Sequence, residues 1–434
     1  MKILIASTPA TGHLNPLIAI ARFLIDEGHE VAFLSGTSFR DRIEKCGAVF
    51  HALPGLADID GRDLHSVAPE LKSMEPGLDW LRIAMERLFV DRIPDQHKGI
   101  QAVLKAFPAD AIIGDDMFFG LVPMLLGPRA GRPSVTLCGT SILHWQREDK
   151  APHFLGLLPA ATPEQRAEYE VIAKEYHERV DSPALSRLNA VLTDMGLPSI
   201  AMPLFEAAVA LADTYVQLSV PSFEFPRPMP SSVNFIGALP IIPNQAPLPS
   251  WAADLDGKRK VVLVTQGTVA NHDFGLLVGP TLAALADEPD VLVVATAGGR
   301  SIDAIPGPIP SNARLAEYLP FEWLLTKVDV LVTNGGYGSV NQALSFGIPI
   351  VAAGLTEDKA DVNARIAWSG AGIDLKTNNP TQAAIRTAVR TALDAPDCRK
   401  RAKRMGAEFA TYNAKAEILR LLQEAGGASQ SRAA

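Results

Sequence analysis

The stretch KILIASTPATGHLNPLIAIARFLIDEGHEVAFLS (2–35) decides the fold of the first half of the chain. Its apolar opening KILIAS (2–7) is typical of a buried strand, and the segment TPATGHLNP (8–16) is predicted to be a loop. Apolar residues then recur at helical spacing up to Gly28, and VAFLS (31–35) predicts a second strand. This order of elements predicts a parallel pair of strands joined by a right-handed crossover.

The same alternation continues along the chain and later restarts. DAIIGD (110–115) and PSVTLCG (133–139) predict further strands, and a second series is formed by KVVLVTQG (260–267), DVLVVATAGG (290–299), DVLVTNGG (329–336) and PIVAAG (349–354). A proline-rich stretch between the two series has no sustained periodicity, so it is predicted to connect two domains. The predicted division is an N-terminal domain over 1–225, a linker over 226–258, a C-terminal domain over 259–410 and a final helix over 411–425.

Composition supports this organisation and limits the partners. With 434 residues, of which 47% are hydrophobic, the chain exceeds the roughly 250–300 residues at which single cores stop growing. A net charge of −8 with no basic face argues against nucleic acid as a partner. Cys46, Cys138 and Cys398 lie far apart, which fits a reducing cytoplasm. No apolar run reaches the roughly 18 residues that span a bilayer, which leaves peripheral membrane contact open.

Two α/β domains joined by a linker create a cleft between the carboxyl ends of their sheets, where such folds bind ligands. In the second domain, NGGYGS (334–339) follows a strand directly and opens a helix, so its N–H groups and the helix dipole favour a phosphate or diphosphate. A tight turn with no ligand is the alternative for this segment. Gly267 and Thr268 follow another strand of the same domain. Glu357, Asp358 and Lys359 precede a further helix.

Several motifs together resemble one family. VTNGGYGS (332–339), QALSFGIP (342–349), GLTEDKADVNAR (354–365) and GAGIDL (370–375) look like the donor-binding signature of the family 1 glycosyltransferases, the UDP-glycosyltransferase and macrolide glycosyltransferase group. TGHLNPLIAIA (11–21) and the strand ending at Asp115 resemble that family's acceptor-domain motifs. The resemblance implies the GT-B fold, in which two Rossmann-like domains face each other across a cleft and the final helix returns to the first domain.

The resemblance also implies roles for the donor-site residues. A nucleotide diphosphate would lie against Gly336, Gly338 and Ser339, assisted by Thr268, and the sugar hydroxyls would meet Asp358 and Lys359. Further candidates for the donor site are Gly267, Gly335 and Glu357. Three residues depart from the usual pattern: Asn334 replaces His, Gln342 replaces a common Glu, and Lys359 replaces Gln. The nucleotide, UDP or dTDP, and the sugar therefore remain open.

A histidine and an aspartate are the candidate catalytic pair. His13, in the segment TGHLNP, resembles the family's general base, and a neutral imidazole suits proton abstraction near pH 7. Asp115 matches the partner that orients such a base, with Asp116 as the alternative. The sequence has no DxD pair before a strand-end loop and no HxxxH pair joined to a carboxylate, so catalysis without metal or other cofactor is expected.

The predicted activity is an inverting transfer of a sugar from a UDP- or dTDP-sugar to a hydroxyl of a small hydrophobic acceptor. Aromatic side chains of the first domain are candidates to line the acceptor pocket. These are Trp80, Phe118, Phe119 and Trp145. A sugar-nucleotide epimerase on the same fold and a non-catalytic protein that binds nucleotide sugars are the two alternatives.

Overall fold

A computed structural model describes residues 1–61, 67–75, 77–241, 247–267 and 271–430, with side chains as far as Glu424. The strands of the first half are β1 (Lys2–Ala6), β2 (Glu30–Ser35), β3 (Val49–Ala52), β4 (Ala111–Asp115), β5 (Ser134–Gly139), β6 (Thr214–Gln217) and β7 (Val233–Phe235). Its helices are α1 (Thr11–Asp26), α2 (Arg40–Glu44), α3 (Leu78–Ala84), α4 (Ile93–Ala106), α5 (Val122–Leu126), α6 (Pro163–Tyr176), α7 (Ser182–Asp194) and α8 (Leu204–Leu211).

Within the described residues, these seven strands form one parallel sheet in the order β3-β2-β1-β4-β5-β6-β7. Side chains of β1 alternate between two cores: Leu4 packs on one face of the sheet, and Ile3 and Ile5 pack on the other. Strand β7 lies inside the stretch 226–258 predicted as linker, so the first sheet extends to Phe235.

Helix α1 begins earlier than its sequence predicts. The segment 8–16 was expected to be a loop, but the helix starts at Thr11 and contains both His13 and Pro16. Gly12 and Pro16 are poor helix formers, which is why the segment resembles a loop. Burial of Leu14 and Leu17 against the sheet outweighs that propensity.

The second half repeats the architecture. Its strands are β8 (Lys260–Thr265), β9 (Val291–Thr296), β10 (Ala313–Ala316), β11 (Val330–Thr333), β12 (Ile350–Ala352) and β13 (Gly372–Asp374), and its helices are α9 (Val278–Ala284), α10 (Phe321–Leu324), α11 (Tyr337–Ser345), α12 (Lys359–Ser369), α13 (Gln382–Asp394), α14 (Pro396–Phe409) and α15 (Ala414–Gln430). In the described part of this half, six parallel strands are ordered β10-β9-β8-β11-β12-β13. Both sheets reverse their strand order beside the first strand of the half, where α/β folds bind ligands.

The last helix crosses back to the first sheet. Ala414, Ile418 and Leu422 of α15 recur at a spacing of four residues and pack in the same core as Ile3 and Ile5. Lys415 forms an ion pair with Glu27 at 2.6 Å. None of the helices described combines the length and the hydrophobicity needed to cross a lipid bilayer.

Candidate active site

His13 lies at the carboxyl edge of the first sheet, in the first turn of α1, with 18% of its side chain exposed. Its Nδ1 lies 3.2 Å from Oδ1 of Asp115, the last residue of β4. Strands β1 and β4 are neighbours in the sheet, so the residues at their carboxyl ends meet although about a hundred positions separate them. The structure thus brings together the two residues predicted as base and partner.

Asp115 is fully buried, and both of its carboxylate oxygens accept hydrogen bonds. Its Oδ2 accepts a hydrogen bond from the Thr8 N–H at 2.6 Å, and its Oδ1 accepts from the Thr8 hydroxyl at 2.9 Å and from the Met117 N–H at 3.1 Å. These three hydrogen bonds fix the position of the carboxylate. Asp115 can therefore orient the imidazole of His13.

Asp116, the alternative partner, does not contact His13 directly. Its Oδ1 accepts hydrogen bonds from the Thr140 N–H at 3.1 Å and the Thr140 hydroxyl at 2.9 Å, and its Oδ2 accepts from the Tyr215 hydroxyl at 3.3 Å. The hydroxyl oxygen of Thr140 lies 2.8 Å from Nδ1 of His13. Asp116 therefore reaches the histidine through Thr140.

The pKa of His13 is raised above 6.5. Burial is the largest single influence and by itself lowers the pKa, but the surrounding carboxylates of Asp115, Asp116 and Asp358 outweigh it. Asp358 belongs to the second half of the chain. The imidazole thus lies within electrostatic reach of the predicted donor site.

The donor-side glycines differ in what surrounds them. Gly335 has a φ of +98°, and a methyl group added there would lie 2.0 Å from Asn363 Oδ1, so this position requires glycine. Gly336 is the N-cap of α11, and a methyl group at Gly336 or Gly338 would meet no heavy atom within 4 Å. The start of α11 therefore borders open space and has N–H groups without partners in the helix.

The other predicted donor residues lie beside this helix start. Ser339 and Gln342 are half-buried on the face of α11 that the core leaves uncovered. Asn334 Nδ2 donates to the Gln266 carbonyl at 3.0 Å, which ties the loops after β8 and β11 together. Gly267, with a φ of +69°, lies in the first of these loops, and Thr268 is outside the described residues.

The acidic segment before α12 faces the first half of the chain. Asp358 is the N-cap of α12, and its Oδ2 accepts a hydrogen bond from the Ser141 hydroxyl at 2.7 Å. The ammonium of Lys359 contacts the carboxylate of Glu357, and burial lowers the pKa of Lys359 to about 8. The Ser141–Asp358 bond shows that the carboxyl edges of the two sheets meet here.

The predicted acceptor residues are dispersed. Phe118 and Phe119 are each 1% exposed and belong to the first core, where Phe119 packs edge-on against Phe89 and Phe205. Both rings pack in the core, contrary to the prediction that they line an open pocket, because the turn that follows Phe118 packs against α4, where the Gly120 N–H donates to Gln96 Oε1 at 2.7 Å. Trp80 packs in a separate small cluster, and Trp145 donates from Nε1 to the Pro228 carbonyl at 3.1 Å.

Sequence reasoning missed Thr140, Ser141 and His144. All three follow β5, and His144 is 2% exposed, with Nδ1 3.8 Å from Asp116 Oδ2. Their position directly after the strand PSVTLCG was the available signal, since functional residues gather at the carboxyl ends of parallel strands.

Three potential metal ligands also meet at this edge. Ligand atoms of His13, Asp115 and Asp116 lie within 4.8 Å of one another. Sequence spacing did not reveal this group, because His13 lies about a hundred positions before Asp115 and Asp116 in the chain. Both carboxylates also accept hydrogen bonds from the protein, which hold them in place beside the imidazole.

Solved structures with the same architecture are glycosyltransferases. The chain superimposes on a calicheamicin glycosyltransferase with a TM-score of 0.72 at 18% identity, covering 98% of both chains. It matches a spinosyn rhamnosyltransferase complexed with thymidine diphosphate with a TM-score of 0.67 at 17% identity, covering 98% of this chain and 100% of the other. The fold is therefore GT-B.

Proteins with similar sequences identify the family to which the chain belongs. Residues 281–425 match the family model described as erythromycin biosynthesis protein CIII-like, C-terminal domain. The chain is 38% identical to 4'-demethylrebeccamycin synthase of Lentzea aerocolonigenes, covering 97% of this chain and 99% of that protein. It is 37% identical to UDP-glycosyltransferase 2 of Phaeomoniella chlamydospora, covering 96% and 94%. The chain belongs to the family 1 glycosyltransferases and is an enzyme of sugar transfer.

Proposed function

We propose that this enzyme transfers a sugar, with inversion, from a UDP- or dTDP-sugar to a hydroxyl group of a small hydrophobic acceptor. The observation that carries the proposal is the His13–Asp115 pair at 3.2 Å, within electrostatic reach of Asp358 across the cleft. Acceptor binding is assigned to 1–225 and donor binding to 259–410. The relatives named for rebeccamycin synthesis and UDP-glycosyl transfer support a nucleotide-sugar donor and a natural-product acceptor.

In the proposed reaction, Nε2 of His13 accepts the proton of the acceptor hydroxyl as that oxygen attacks the anomeric carbon of the sugar. The bond between this carbon and the diphosphate oxygen breaks, and the single displacement inverts the configuration. Asp115 stabilises the imidazolium that forms. The diphosphate leaves against the open start of α11 at Gly336 and Gly338, where the helix dipole and N–H groups favour its charge.

The test combines product detection with two substitutions. A panel of nucleotide sugars is incubated with a mixed set of aglycones, and mass spectrometry identifies the product. His13→Ala is expected to lower kcat by about 10²–10⁴-fold, and Asp115→Asn should also lower it, with the affinity for UDP or dTDP unchanged. Full activity of His13→Ala on a hydroxyl acceptor would refute the assignment. Conversion of the donor alone would instead indicate the epimerase alternative.

Catalysis without a metal ion is part of the proposal. The open helix start of α11 can meet the diphosphate charge, and the carboxylates beside His13 are already hydrogen bonded. Activity should persist in excess EDTA and change little when magnesium or manganese is added. Complete loss with EDTA, followed by recovery on metal addition, would contradict this expectation and make the group formed by His13, Asp115 and Asp116 the first site to test for metal binding.

A further inference from the structure

Thr140 lies between His13 and Asp116 and contacts both side chains. Its hydroxyl oxygen lies 2.8 Å from His13 Nδ1 and 2.9 Å from Asp116 Oδ1, and its N–H lies 3.1 Å from the same carboxylate oxygen. The residue is only 9% exposed, so solvent does not replace these contacts. The direction of each hydrogen bond therefore decides which nitrogen of His13 carries the proton.

The hydroxyl of Thr140 has a single hydrogen to donate. Asp116 accepts hydrogen bonds from the Thr140 N–H at 3.1 Å and from the Tyr215 hydroxyl at 3.3 Å, an environment that favours its ionised form, and an ionised carboxylate can only accept. A charge-assisted bond to this carboxylate is stronger than a bond to a neutral imidazole nitrogen. Thr140 therefore donates to Asp116, and its oxygen is left to accept a hydrogen bond from His13.

Asp115 alone would hold the imidazole of His13 less firmly than Asp115 and Thr140 together. Its Oδ1 already accepts from the Thr8 hydroxyl at 2.9 Å and from the Met117 N–H at 3.1 Å, and its distance to His13 Nδ1, 3.2 Å, is the longest of the three. The distance from this nitrogen to Thr140 is shorter, at 2.8 Å.

We propose that Thr140, polarised by Asp116, is a positioning residue that fixes His13 with its proton on Nδ1, so that Nε2 keeps the lone pair that accepts the acceptor's proton. This inference rests on the proposed function of His13 as base. The charged and titratable groups that act on the imidazole are Asp115, Asp116 and Asp358, and His144 lies beside Asp116. Asp115 and Thr140 would share the Nδ1 proton as its two acceptors.

The kinetic test uses substitutions that differ by the hydroxyl. Thr140→Val removes it with nearly the same shape and should lower kcat about tenfold, with the KM of the acceptor within about twofold of wild type. Thr140→Ser keeps the hydroxyl and should recover kcat to within about threefold. Thr136→Val, at a buried position of the preceding strand β5, controls for destabilisation and should leave kcat unchanged. Equal losses in the Val and Ser variants would overturn the proposal.

The tautomer of His13 can be determined by NMR without any substrate. Protein with ¹⁵N-labelled histidine gives separate signals for protonated and unprotonated ring nitrogens, and the His13 signals are those missing from His13→Gln. In wild type above the pKa of His13 the proton should reside on Nδ1, and Thr140→Val should produce a mixture of both tautomers. A proton on Nε2 in wild type, or an unchanged tautomer in Thr140→Val, would refute the inference. This readout decides the inference even if no hydroxyl acceptor is glycosylated.

Discussion

Gln342 is the side chain through which we expect the enzyme to distinguish the ribose of UDP from the deoxyribose of dTDP. It lies one helical turn after Ser339, on the face of α11 opposite the buried Val340, Ala343 and Leu344. A diphosphate bound at the start of α11 would place a ribose near this face. An amide offers one accepting oxygen and a donating NH₂, whereas the Glu common in the family offers a charged acceptor to both ribose hydroxyls.

Gln342→Glu should therefore shift the preference towards UDP donors by about 1 kcal/mol, because a charge-assisted hydrogen bond replaces a neutral one. The wild-type enzyme should discriminate weakly between UDP and dTDP donors of the same sugar. The measurement is kcat/KM for both donors in wild type and variant. A dUDP-sugar serves as control, since it lacks the ribose hydroxyl without adding the methyl group of thymine. An unchanged ratio would remove Gln342 from the donor site.

The junction between β11 and α11 shows how one element can hold both a structural and a functional glycine. Gly335 has a φ of +98° and no room for a methyl group beside Asn363. Gly336, the adjacent residue, has a φ of −60° and open space around it. The first glycine is needed for the turn, and we infer that the second is needed for the ligand.

This difference predicts opposite outcomes for two neighbouring substitutions. Gly335→Ala should destabilise the protein, by about 1–3 kcal/mol or more, since it strains the backbone and displaces Asn363. Gly336→Ala should leave the melting temperature nearly unchanged but weaken binding of UDP or dTDP, because its methyl group extends into the space proposed for the diphosphate. Thermal unfolding and calorimetric titration separate the two effects. Unchanged nucleotide affinity in Gly336→Ala would argue against a diphosphate at this helix start.

Across the whole molecule, the two halves are joined by buried charges. Glu224 follows β6 and accepts hydrogen bonds from Arg365 of α12, with Nε at 2.8 Å, and from Arg227 at 3.0 Å. Asp361 of α12 accepts from the N–H groups of Phe154 and Gly156 in the first half. These contacts hold α12, and with it Asp358, against the half that contains His13.

Removal of the Glu224 charge should destabilise the whole protein. Burial opposes ionisation of Glu224, but Arg365 and Arg227 outweigh it and lower its pKa from 4.5 to about 2. Because the folded pKa is depressed, this stabilisation is present above pH 4.5 and is lost as the pH falls towards 2. Glu224→Gln removes the carboxylate that the two buried arginines share, and a loss of about 3–5 kcal/mol is typical when one partner of a buried ion pair is removed.

Denaturant unfolding between pH 3 and pH 7 measures this contribution. Wild type should lose stability below pH 4.5 more steeply than Glu224→Gln. The control is Glu417→Gln, which removes one of the two exposed carboxylate partners of Arg420 on α15 and should change stability little. Equal stability of wild type and Glu224→Gln at pH 7 would show that the buried network is not needed to hold the halves together.

Several features of this protein followed from the sequence alone, because they depend on neighbours along the chain. Apolar runs such as KILIAS and KVVLVT predicted strands, and their alternation with helical patterns predicted two α/β domains. The motifs around Gly336 and His13 predicted the family. The short strands β3, β6, β7, β10 and β13 were missed, since three or four residues carry too little pattern to identify a strand.

The tertiary structure decided the features that depend on residues far apart in the chain. Helix α1 includes His13 because its apolar face is buried against the sheet, which local propensity does not reveal. Phe119 lies in the core because Phe89 and Phe205 surround it. The contacts of His13 with Asp115 and Thr140 join residues more than a hundred positions apart. These contacts form because neighbouring parallel strands bring their carboxyl ends together. The spacing of residues along the chain does not reveal which strands are neighbours.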